Sequence, residues 1–212
     1  MLSHIIFGLF LLGGEHTRLV FETNKDQAPA DVRYLLQTEK YRVDFKRDEI
    51  VFHFGSNSMR VRFAGRPNWT MPAGRARLDR LVRYIDSDDR KSKTDIPKFA
   101  SVKYESLYSG IDLSCRGHAG QLECVFLAMP GADPEQIRFA VEGTDRIEID
   151  ETGALHLEIA GQTLRVQKPN AFQLGHGRRN IVDVRFELKG SNEIAFSVGP
   201  YNSSIPLIFD LL

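Results

Sequence analysis

Sulfur, tryptophan and excess charge are what this sequence has least of. Two cysteines among 212 residues are too few for a disulfide-built miniprotein or a four-cysteine zinc site. Twenty-eight Lys plus Arg balance twenty-eight Asp plus Glu, so no net field draws the molecule onto nucleic acid or an anionic membrane. No apolar run reaches the ~18 residues that read as a membrane-spanning helix. The motifs GxSxG, HExxH, GxxxxGK and GxGxxG do not occur, which removes the nucleophile elbow, the zinc helix and the phosphate cradles. The six histidines, His4, His16, His53, His118, His156 and His176, form no ligand motif. Asp86-Ser87-Asp88-Asp89 opens like a calcium loop but lacks the glycine and distal glutamate that complete one. Neither a metal nor a cofactor is expected. The rest is ordinary: 42% apolar, 26% charged and 10% aromatic, enough at this length to bury about 70% of the open chain's surface.

Residues 1–14 read MLSHIIFGLFLLGG. The apolar stretch Ile5 to Leu12 has the length of a secretory signal's middle and Gly13-Gly14 is a tolerable exit, although the basic start is missing. The segment is taken as signal-like, with a first core element as the alternative. From Leu19 onward the period is two. Folding the chain at Arg47-Asp48 sets Phe45 opposite Ile50, Val43 opposite Phe52 and Tyr41 opposite Phe54, all on one face. Ile147 and Ile149 precede the turn Asp150-Glu151-Thr152-Gly153. Leu155, Leu157 and Ile159, then Leu164 and Val166, continue a meander in which Leu157 faces both Ile147 and Leu164. Val184, Phe186 and Leu188 oppose Ile194, Phe196 and Val198.

This pattern predicts an all-β fold, an antiparallel β-sandwich built from hairpins and meanders with minimal helix. Asp31 to Gln37 and Ala76 to Tyr84 could each form a short helix, and Pro134-Glu135-Gln136 one turn. Residues 65–95, with Pro67, Pro72, Trp69 and dense charge, read as an irregular crossing within a single β module, 19–210. It would join two lobes, 19–64 and 96–210.

Several longer words resemble a bacterial family. FETN at Phe21 to Asn24, Asp31-Val32-Arg33-Tyr34-Leu35, IPKFASVKY at Ile96 to Tyr104 and LYSGIDL at Leu107 to Leu113 are four. The others are GQLECVFLAMPGADPEQIRFAVEG at Gly120 to Gly143, RIEIDETGALHL at Arg146 to Leu157, and IPLIFD at Ile205 to Asp210. They are similar to the module found amino-terminal to seven-bladed-propeller (SBBP) repeats in secreted and surface proteins. The resemblance spans about Leu19 to Asp210 and implies an exported all-β module with no assigned activity, and so no catalytic residue to carry over. Relatives usually carry a Trp where this chain has Ser92, and the Arg83 to Arg90 region lacks their Gly-Asn-Asp-Pro turn.

Two constellations remain. Turning the chain at Ala119-Gly120 sets Cys115 opposite Cys124, where family members usually have aromatics; a cross-strand disulfide is expected, with two reduced core thiols as the alternative. Arg60, Arg62, Arg66, Arg75, Arg77, Arg80 and Arg83 crowd a stretch whose only acid is Asp79. With Trp69 they could bind an acidic glycan or other polyanion. The alternative is that they pair with carboxylates from elsewhere in the chain. The expected function is a non-catalytic structural or interaction module, extracellular or at the cell surface, whose partner is a propeller-repeat region or another surface protein. An acidic-glycan binder comes second, and a glycan-cleaving enzyme with a carboxylate pair ~5–10 Å apart third.

Overall fold

The computed structural model describes residues 19–84, 93–118, 120–175 and 177–211, without the side chains of residues 79–84 and 93–95. The signal-like segment 1–14 and the acidic run at Asp86 to Asp89 therefore lie outside the described residues. Strands dominate, all paired antiparallel. They are β1 (Phe21–Thr23), β2 (Tyr34–Gln37), β3 (Arg42–Phe45), β4 (Glu49–Phe54), β5 (Asn57–Ala64), β6 (Ala73–Tyr84), β7 (Lys93–Tyr108), β8 (Ile111–His118) and β9 (Gln121–Ala128). After them come β10 (Arg138–Glu142), β11 (Arg146–Ile149), β12 (Leu155–Ile159), β13 (Gln162–Val166), β14 (Asn170–Gly175), β15 (Arg178–Val182), β16 (Val184–Lys189), β17 (Glu193–Val198) and β18 (Leu207–Leu211). One 3-10 turn, Pro134–Gln136, stands where a turn was expected, with the Asp133 side chain accepting from the Glu135 amide.

Fifteen strands form one sheet in the order β15-β14-β18-β9-β8-β7-β1-β2-β3-β4-β5-β10-β17-β16, with β6 added on β7. Its two ends, β15 and β16, are consecutive in the chain with only Asp183 between them. A sheet whose ends meet at one residue must curl round on itself, and the strand twist supplies that curvature. The result is nearly a closed barrel. Strands β11, β12 and β13 form a separate small sheet.

The period-two registers are those expected from the sequence. Phe45 pairs with Ile50 and Val43 with Phe52; Ile147 pairs with Leu157 and Leu157 with Leu164; Phe186 pairs with Phe196. Each apolar set turns inward, and Phe196 lies at the centre of an aromatic group, 6.2 Å from Phe126, 5.9 Å from Phe139, 5.6 Å from Phe186 and 5.7 Å from Phe209 between ring centres. Rings at these separations add to the area they bury. Gly143, ending β10, has φ +81° and would carry a Cβ 2.2 Å from the Ser58 carbonyl oxygen. Only glycine fits there.

Two local expectations are corrected. The short helices do not form: Tyr34–Gln37 is β2 and Ala73–Tyr84 is β6. The irregular crossing is largely strand, because β6 finds a partner in β7 and its backbone groups pair there. Pro97 is accommodated where the β6 register slips between Leu78 and Val82, since a ladder position without an N–H is tolerated at a bulge. Strands from 19–64 and from 96–210 pair within the large sheet where Glu22 of β1 meets Lys98 of β7 and Phe63 of β5 meets Phe139 of β10.

Candidate functional site

Three of the described arginines of the stretch, Arg60, Arg62 and Arg75, each face a carboxylate. Arg60 and Arg62 alternate with Met59, Val61 and Phe63 on β5, so they point outward while the apolar residues point in. There Arg60 donates two hydrogen bonds to Glu49, at 2.8 and 2.9 Å, and Arg62 lies 3.5 Å from Glu142. On β6, Arg75 is 2.5 Å from Glu105. Arg66 and Arg77 are exposed and make no ion pair among the described residues. The side chains of Arg80 and Arg83 lie outside the described residues. Trp69 is 40% exposed, and its carbonyl accepts from the Arg47 Nε at 2.8 Å.

The outward face of β3, β4 and β5 holds carboxylates that the sequence reading did not single out. Asp44 and Glu49 are each only 2% exposed. Asp44 is met by Arg42 at 2.9 Å and by the His53 ring at 2.8 Å, and Glu49 by Lys46 at 3.0 Å as well as Arg60. Burial pushes the Glu49 carboxyl up, but the hydrogen bonds from Arg60 and Lys46 outweigh it and hold the group below its ordinary value. The signal was there to find: once Val43 opposes Phe52, Arg42 opposes His53 and Asp44 opposes Val51 on the other face.

The two cysteines meet as expected. Cys115 pairs with Cys124 across the β8–β9 ladder and the two are joined by a disulfide, Cα atoms 4.2 Å apart. On the opposite side of the same strands lies a shallow groove of about 410 Å³, floored by Val125, Leu127, Ile208 and Phe172 and edged by Lys103, Asp112, Ser114 and Arg116. The Phe172 ring carries the Arg179 guanidinium at 3.6 Å, and Ile181 beside it is 74% exposed. Beside the groove Glu123 is buried and ion-paired with Arg116. Its charge lies near the Asp210 carboxyl. Burial first, then the nearby Glu123 charge, raise the Asp210 carboxyl above its ordinary value, partly offset by Arg116 and Arg179.

Inside the barrel is a third feature, a cavity of about 100 Å³ lined only by apolar and sulfur-bearing side chains. Among the described residues no group of three or more His, Cys, Asp or Glu could hold a metal ion, and no helix is long and apolar enough to cross a membrane.

The family model described as "Domain of unknown function (DUF7948)" matches residues 21–210. No curated protein and no solved structure matches the chain.

Proposed function

The chain belongs to the DUF7948 family, and from that premise we propose that it is a non-catalytic structural or interaction module of an exported or cell-surface bacterial protein. The observation that carries this reading is the pairing of Arg60, Arg62 and Arg75 within the Arg60–Arg83 stretch. Arg60, Arg62 and Arg75 each meet a carboxylate of the same sheet, which suits them to holding strands together rather than to a free anion. The cross-strand disulfide supports export, because such bonds persist in oxidising compartments. The propeller-repeat region of a surface protein is the partner suggested by the resemblance in sequence.

Chromatography on a sulfated polysaccharide tests the reading against its nearest rival. The module should pass unretained at low salt, where surface electrostatics are least screened. Retention that is lost in an Arg66→Ser, Arg77→Ser variant of unchanged melting temperature would instead make the protein a polyanion binder through those two exposed arginines.

A further inference from the structure

Beyond the scaffold role, we infer that the barrel interior is a binding site for a compact uncharged hydrocarbon group, no larger than a benzene ring. The cavity of about 100 Å³ lies where the large sheet faces the small one, between Phe63, Phe126 and Phe186 on one side and Leu155, Leu157 and Val166 on the other. Native interiors are packed nearly as densely as organic crystals, and voids much larger than a water molecule are few. A void of this size therefore needs an occupant or carries a penalty in lost dispersion contacts.

Water does not fit the site. A buried water needs two to four polar partners, and the side chains lining this cavity are all apolar apart from the sulfur of Met59 and the disulfide sulfur of Cys124. Size sets the upper bound: an engineered apolar cavity of ~150 Å³ stays dry and takes up benzene or xenon. A charged or hydrogen-bonding ligand would lose its hydration without compensation. The occupant is thus defined by what the walls refuse.

The small sheet provides the way in. Among the described residues its strands hydrogen-bond to one another and to no strand of the large sheet. Its own polar face is tied together by Asp150, which takes hydrogen bonds from Thr152 and Ala154 and contacts His156 at 2.8 Å and Arg165 at 3.4 Å. A roof that is internally fastened but packed on the barrel only by side chains can lift as a unit without breaking a ladder.

Two measurements on the whole chain decide the matter. Benzene at about ten times its dissociation constant should raise the melting temperature of the wild type by about 3–5 °C. It should leave a Val166→Phe variant, in which a benzyl group fills the cavity, unmoved. Xenon under pressure should shift the methyl resonances of Val141, Leu155 and Leu157 in the wild type, a readout that does not depend on the variant folding. Unmoved methyl resonances, or an equal benzene response in wild type and filled variant, would overturn the inference. Neither result bears on the scaffold reading, which rests on the outer face.

Discussion

The two faces of the large sheet are built from alternate residues of the same strands, yet they are held by opposite means. On the inner face, Val43, Phe45, Ile50, Phe52 and Met59 are buried among other apolar groups, and their contribution is the removal of hydrocarbon from water. On the outer face, one residue along, Asp44 and Glu49 are just as hidden, but what hides them is the cationic side chains of Arg42, Lys46 and Arg60 lying over them. Long cationic side chains cover neighbouring surface with their stems while placing the charge on a partner. Depth of burial therefore does not tell the two faces apart. Response to pH and to removal of a partner does, since apolar burial has no titrating member and the carboxylate clusters do.

The largest effect should come from the centre of the inner face. Phe196→Ala removes the ring that touches four others and is expected to cost about 3–5 kcal/mol, by the same amount at pH 4 and pH 7 in denaturant titrations. A marked pH dependence of that loss would break the comparison.

Second, replacing Cys115 and Cys124 together with Ala should cost about 2–3 kcal/mol, the chain-entropy value for so short a loop. This inner-face bond is covalent, so the loss should again be insensitive to acid. Non-reducing peptide mapping should recover the two cysteines as one linked pair, and alkylation of both without reductant would contradict it.

Third, Glu49→Gln tests the outer face. It strands the Arg60 charge, leaves Lys46 with Asp31 alone and should cost about 1–2 kcal/mol at pH 7. The Glu49 carboxyl is held below its ordinary value of 4.5, so its contribution is fully present above that value and is lost as pH falls through the lowered folded value. Wild type and variant should therefore converge in acid. Curves that stay parallel down to pH 3 would assign Glu49 a packing role instead.

The smallest effect has the opposite sign. Asp210 is raised above its ordinary value of 3.8, so the folded state is penalised as pH rises from that value through the raised one. Asp210→Asn removes the charge at nearly constant size. It should raise the midpoint slightly at pH 7 and leave it unchanged below about pH 3.5, with partial exposure of the site keeping the gain small. A lower midpoint at pH 7 would show that the Asp210 charge is used rather than tolerated.

Much of the architecture was legible in the residues. The hairpins β3–β4 and β16–β17, the β11–β13 meander and the Cys115–Cys124 pairing all follow from alternation across a short turn, where a slip of one residue would turn the apolar set outward. The β5 strand was legible too, since Met59, Val61 and Phe63 alternate with Arg60 and Arg62. Legibility failed at β6. Its arginines, its glycine and a left-handed Ala76 (φ +52°) give no strand signal, and it exists as a strand because β7 offers an edge. The carboxylate clusters were half legible, since Asp44 and His53 share a face by register, whereas Glu123 and Asp210 come from strands far apart in sequence.

The sequence by itself determined the period of the strands, their nearest-neighbour registers and the disulfide, because each depends on side-chain alternation over a few residues and one turn. Tertiary structure alone decided which distant strands pair, as β1 does with β7, β5 with β10 and β9 with β18. It thereby decided whether a charge is free or spoken for. Arg62 meets Glu142 and Arg75 meets Glu105 only after the sheet has curled, and a side chain's partner across 30 or 80 residues is set by that closure rather than by anything local to the arginine.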